Sequence, residues 1–144
     1  MTKLVLENFL PYRLIRISDA LSRKFRVVYG PHHDLSIPEW RVLATLGQFE
    51  KMTATEIGQH SAMHKTKVSR AVRALEERRW LRRREKPDNR REEILALTPL
   101  GRQAYTEIVP QALAFEAELL KGGKSDGDRL LAAIEWLEGQ LDLP

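Results

Sequence analysis

The sequence predicts a mainly α-helical fold carrying one small β-hairpin, with long helices at both ends and a compact module between them. Three observations predict it. Apolar residues recur at steps of three and four through residues 4–29, the spacing that gives a helix one buried face. Between Thr53 and Leu75 two short helical patterns are separated by Ser61-Ala62-Met63, which is helix-turn-helix order. Residues 80–97 then turn extended on either side of Pro87-Asp88-Asn89, which is hairpin chemistry.

The first helix carries Leu6, Phe9, Leu10, Leu14, Ile17, Leu21, Phe25 and Val28 on its apolar side. Pro11 suits a first turn, where its missing N–H is no loss, so regular helix starts near Leu10. Gly30-Pro31-His32-His33-Asp34 is expected to break it. Ser36 caps a second helix, Glu39 completes a capping box, and Trp40, Leu43, Leu46 and Phe49 form its buried side. Lys51-Met52 is a short extended link. Thr53 and Glu56 cap a third helix over residues 54–60. A fourth begins at His64 and buries Val68, Val72 and Leu75. The hairpin follows from Trp80 to Leu97, with Arg90 and Arg91 expected at its turn. Thr98 caps the next helix with Pro99 at its first position, and Pro110 is expected to kink or split it. Gly122-Gly123 is read as a loop, after which Ser125 and Asp128 open a last helix bearing Leu130, Leu131, Ile134, Leu137 and Leu141.

A length of 144 residues suits one ordinary domain with a real core. The absence of cysteine excludes disulfides and thiolate zinc sites. No apolar run approaches the ~18 residues of a membrane span, and Glu7 interrupts the apolar start, so the reading is a cytoplasmic protein without a membrane partner. His32, His33 and Asp34, and the pair His60 and His64, are read as loop and surface residues rather than metal ligands. No nucleophile constellation and no glycine-rich phosphate loop is present, so neither an enzyme nor a cofactor is expected.

Charge is unevenly placed. Residues 64–91 hold twelve Lys/Arg against four acids, a local charge of +8 in a chain of net charge +4, which leaves the remainder at −4. A basic block on an otherwise acidic chain is the electrostatic footprint of phosphate binding. A helix fits the DNA major groove, where Lys and Arg donate to guanine and Ser and Thr serve either base. His64, Lys65, Thr66, Lys67, Ser69 and Arg70 are therefore the candidate base readers, and Arg73, one turn on, the candidate phosphate contact. Arg90 and Arg91 are assigned to the adjacent minor groove, whose negative potential attracts arginine. Arg82, Arg83 and Arg84 alternate along one strand and cannot all face DNA; Arg83 is the one assigned to it. An alternative is a winged-helix module that binds protein or RNA without ligand control. Against RNA, an A-form major groove does not admit a helix, and residues 64–79 lack aromatic stacking side chains.

The order Leu35-Ser36-Ile37-Pro38-Glu39-Trp40-Arg41-Val42-Leu43, the helix-turn-helix, Leu75-Glu76-Glu77, Asp88-Asn89-Arg90-Arg91 and Leu97-Thr98-Pro99-Leu100-Gly101 resembles the MarR family of bacterial transcriptional regulators. The resemblance covers about residues 35–105. It implies a winged helix-turn-helix over residues 35–98 and a helical dimerisation region from residues 1–34 and 99–144. It implies a homodimer on a pseudo-palindromic double-stranded operator, with repression released by a small, often aromatic, organic ligand. Two positions depart from the family pattern. Arg79 stands where glycine commonly ends the recognition helix, and must take a left-handed conformation or use another cap. Asn89 stands where an aspartate commonly braces the wing arginine, with Asp88 as a substitute.

The apolar positions at both ends need a covering surface, and a two-fold dimer is the simplest one. The resemblance also implies a ligand site where the dimer base meets the winged module; Arg16, His32 and Trp40 are read into it as an aromatic and cationic lining suited to an organic anion.

Overall fold

The computed structural model describes residues 1–122 and 124–144. After a single 3-10 turn at Leu6–Asn8 come α1 (Leu10–His33), α2 (Ile37–Phe49), β1 (Lys51–Thr53), α3 (Ala54–Ser61), α4 (Lys65–Glu77), β2 (Leu81–Lys86), β3 (Asn89–Leu97), α5 (Pro99–Leu120) and α6 (Lys124–Gln140). The three strands form one antiparallel sheet in the order β1-β3-β2. By internal contacts the chain divides into two units, residues 1–108 and 109–144. None of the described helices is long and apolar enough to cross a membrane.

The core of the first unit lies under the helix-turn-helix. Leu35, Val42, Leu43, Leu46, Ile57, Val68, Val72, Leu75, Leu95 and Ile108 are all buried there, with Ala71 beside the expected α4 stripe. Both capping boxes form. The Ser36 hydroxyl accepts from the Glu39 amide while the Glu39 carboxylate accepts from Ser36, and Thr53 and Glu56 repeat the arrangement. The link at Lys51-Met52 extends to Thr53 and becomes a paired strand, Lys51 opposite Ala96 and Thr53 opposite Ile94.

Three expectations change. The break at Gly30-Pro31 does not occur: α1 runs through both residues and ends at Asp34, whose φ is 50°. Burial of Tyr29 and Leu35 and a distant clamp outweigh the local breaker signal. Arg78 donates to the carbonyl oxygens of His33, at 2.6 Å, and of Asp34. Phe49 is exposed rather than buried and packs edge-on against His60 at 4.8 Å. Pro110 does not split α5, which is continuous from Pro99 to Leu120. The expected loop reaches Gly122, with Gly123 outside the described residues, and α6 starts at Lys124, one residue before the expected Ser125.

Arg79 takes the left-handed alternative. Its φ is 63°, and α4 closes in a complete Schellman motif, the Arg79 amide donating to Glu76 O at 2.9 Å and the Trp80 amide to Leu75 O at 3.0 Å. An L-residue with a side chain is strained there. We therefore expect Arg79→Gly to raise stability by about 0.5–1 kcal/mol, read as a higher urea midpoint at unchanged slope.

Much of the apolar surface at the chain ends is uncovered. Leu6, Phe9, Leu10, Leu14, Ile15 and Ile17 of the first unit are exposed, and only Phe25 and Tyr29 of α1 are buried. In the second unit Leu130, Leu131, Ile134, Trp136 and Leu141 are exposed.

Candidate nucleic-acid interface

The helix-turn-helix is built by local signals. Ala62 takes a left-handed conformation (φ 53°) and ends α3, after which the chain re-enters helix at once. His64 is the N-cap of α4 rather than its first residue: its Nδ1 accepts the Thr66 amide at 3.3 Å. That bond fixes Nδ1 as the acceptor and leaves Nε2 for another partner.

Burial of Val68, Ala71, Val72 and Leu75 fixes the rotation of α4. Lys65, Thr66, Lys67, Ser69, Arg70 and Arg73 are in consequence all exposed. Among the described residues, Lys65, Lys67 and Arg70 form no ion pair, whereas Arg73 pairs with Glu77 one turn on at 3.3 Å. A surface pair of that kind is worth little and yields readily to a phosphate. A groove of about 310 Å³ separates α3 from α4, lined by Thr55, Gly58, Gln59, Met63, Lys65 and Ser69 among others.

The wing departs from expectation at its tip. The turn is only Pro87-Asp88, so Arg90 and Arg91 follow Asn89 within β3 rather than occupy the turn. Lys86 pairs with Asn89, but the next pair is Glu85 with Glu93. Arg90, Arg91 and Glu92 are therefore extra residues on one strand, and an unpaired bulge of this kind re-aims side chains. Both arginines are exposed and without an ion pair among the described residues. Asn89 braces the backbone here: its Oδ1 accepts the Arg91 amide at 3.0 Å, not the guanidinium. No bond joins Asp88 to either arginine among the described residues.

Arg83 is held by protein carboxylates. Its Nε donates to Glu76 at 2.8 Å and it faces Glu93 at 3.8 Å, joining the end of α4 to the wing. Arg78, which sequence reasoning missed, lies at the same junction, as does Thr98, the expected cap, whose hydroxyl accepts the Gly101 amide at 3.1 Å. Arg78 clamps the end of α1 and stacks over Trp80, 5.0 Å from the ring centre. Thr98 donates its amide to Trp80 O, and its hydroxyl to Arg79 O at 2.6 Å. An arginine at a helix C-terminus and a threonine after a strand are common, so neither carried a signal of this role.

Arg16, His32 and Trp40 do not come together within one chain. Trp40 packs on Phe25 and Tyr29, with ring centres 5.4 and 5.5 Å away. Arg16 precedes Phe25 by nine residues, about 13 Å along the helix, and sits over Tyr12. His32 is exposed in the last turn of α1, while its neighbour His33 turns inward, 3.6 Å from Glu107.

Tyr29 is fully buried and its hydroxyl has no partner among the described residues. Burial pushes it up to about 12, against the pull of Arg26 and Arg41. Below pH ~10 tyrosine is neutral in both states. Between ~10 and 12 only the unfolded chain ionises, so stability falls as pH rises through that window. Tyr29→Phe should raise stability by about 1 kcal/mol at pH 8 by removing the orphan hydroxyl. Its advantage should widen by pH 11, measured by urea melts at the two values.

Comparison with known proteins agrees with this geometry. Residues 35–92 match the model of the MarR family. Among curated proteins the chain is similar to YwoH of Bacillus subtilis, an uncharacterized HTH-type transcriptional regulator, with 37% identity over 82 residues, 57% of this chain and 59% of that one. The chain spans little more than half the length of the curated relatives it matches. Among solved structures it is similar to a MarR family transcriptional regulator from Silicibacter pomeroyi DSS-3, with a TM-score of 0.81, 26% identity, and coverage of 96% of this chain and 99% of that one. It also shares its fold with BpsR of Bordetella bronchiseptica, whose DNA binding is regulated by 6-hydroxynicotinic acid (TM-score 0.79, 20% identity, coverage 99% and 100%).

Proposed function

We infer that this chain is a winged-helix transcriptional regulator of the MarR type that reads duplex DNA as a homodimer and releases it on binding a small organic ligand. One observation carries the DNA reading. The face of α4 opposite its buried stripe presents Lys65, Lys67 and Arg70 without ion pairs among the described residues, beside a wing whose bulge displays Arg90 and Arg91. We assign His64, Lys65, Thr66, Lys67, Ser69 and Arg70 to base edges, Arg73 to phosphate, and Arg90 and Arg91 to the minor groove. Arg83 leaves the contact set and becomes the strut between α4 and the wing.

The dimer reading rests on the uncovered apolar residues at both chain ends, which a second copy would bury. Sedimentation equilibrium should give a species of twice 16.6 kDa at micromolar concentration. A monomer there would overturn the reading.

The ligand reading rests on the aromatic cluster of Phe25, Tyr29 and Trp40 at the join of α1 and α2, and on the ligand control of BpsR. A ligand acts only through unequal affinity for two arrangements, so a DNA-releasing ligand must favour a spacing of reading helices that the operator rejects. Titration of an aromatic acid such as 6-hydroxynicotinate into the protein–DNA complex tests this. A fall in DNA affinity supports ligand control, and no change across a panel of such acids counts against it.

A further inference from the structure

We propose that the outer face of the wing sheet is a second phosphate-binding surface, which holds the backbone of duplex DNA flanking the operator. It rests on the DNA reading above and extends it to residues outside the reading helix and the wing bulge.

Alternation along β2 sends Arg83 one way and Arg82 and Arg84 the other. Arg83 lies opposite buried Leu95, on the side of the sheet that meets α4. Arg82 lies opposite Ala96, and Ala96 lies opposite Lys51, so Lys51 and Arg82 flank one residue in a single row across three strands. Arg84 lies one row nearer the hairpin tip, opposite Ile94. Lys51, Arg82 and Arg84 line a cavity of about 220 Å³ together with Ile94, Ala96 and the intervening Arg83.

Three of the nearby acids serve other cations. Glu76 and Glu93 hold Arg83, and Glu92 holds Lys86 at 3.2 Å. Lys51, Arg82 and Arg84 form no ion pair among the described residues, so their mutual repulsion is left for an outside anion to relieve. The row spans two inter-strand spacings, about 9–10 Å, and the Arg82-to-Arg84 step adds about 7 Å toward the tip. A duplex offers one charge per ~1.7 Å of axis and can meet cations spread over such a track, whereas one small anion neutralises only part of them. The track is continuous with the wing, pointing to the same molecule as its occupant.

The test uses the full chain and a duplex selected in vitro for binding to it, in two lengths. One is trimmed to the operator, and one is extended by ten base pairs of unrelated sequence at each end. The wild type should bind the longer duplex about tenfold more tightly at moderate salt. R82S/R84S should lose that gain, lower the log–log salt slope on the longer duplex by about two, and bind the short duplex as the wild type does. Equal losses on both lengths, or no length dependence in the wild type, would overturn the proposal. Inorganic phosphate binding to the free wild type below millimolar concentration, and not to R82S/R84S, would reassign the surface to a small anion. If neither protein bound the short duplex, the DNA reading itself would fall.

Discussion

Gly101→Ala should unfold the join between the wing and α5, lowering stability by about 3 kcal/mol, at the upper end of overpacking effects. A Cβ on Gly101 would lie 2.1 Å from the Trp80 carbonyl oxygen and 2.8 Å from its carbonyl carbon. Those are backbone atoms and cannot rotate away. Trp80 is also held on both sides: its amide completes the Schellman motif at the end of α4, and its carbonyl accepts the Thr98 amide at 2.9 Å. Either α5 must start elsewhere or the first strand of the wing must shift. For a chain of this size the loss corresponds to a drop in Tm of roughly 10 °C. Calorimetry checks it, and a Tm within about 2 °C of the wild type would show that the close approach is not required.

The second large effect separates wing from reader. Arg91→Ala should weaken binding to every operator variant by about 1–2 kcal/mol, because a wing arginine responds to groove potential more than to one base. Lys67→Ala or Arg70→Ala should instead change the ranking of variants, with about 1–3 kcal/mol at one or two base positions. Both lie on the exposed face of α4, so their loss leaves the buried stripe of Val68, Val72 and Leu75 intact. Anisotropy titrations against a panel of single-base operator variants check the division. If all three substitutions lowered every affinity by the same factor, the assignment of distinct roles would fail.

What the sequence made legible was local. Ser36 with Glu39 and Thr53 with Glu56 lie three residues apart on one turn, so each capping box is readable from composition and spacing alone. The left-handed Arg79 was foreseeable as one of two options because the family it resembles commonly has glycine there. What escaped was set by contacts distant in sequence. Gly30-Pro31 reads as a break, and only Arg78, more than forty residues later, holds the carbonyls that end α1 at Asp34. The strand at Lys51–Thr53 is too short to show a period of two, and its identity comes from pairing with β3. The wing bulge depends on a register slip that hydrophobic pattern cannot fix where both faces of a strand are polar, as they are at Asn89–Glu93. Arg16 was placed by chemistry, without reckoning its rise along α1 from Phe25 and Trp40, so one chain alone does not set it beside them.

A dimer of the kind proposed would place two reading helices at a fixed separation on one face of duplex DNA. The most direct measurement is affinity for a selected pseudo-palindromic duplex against the same duplex with five base pairs inserted at its centre. Half-sites about 34 Å apart lie on one face, and half a helical turn carries one of them to the other side. The insertion should therefore weaken binding by a hundredfold or more, on the order of 3 kcal/mol, as one half-site is lost. Equal affinity for the two duplexes, or for a duplex of random sequence at moderate salt, would contradict the account.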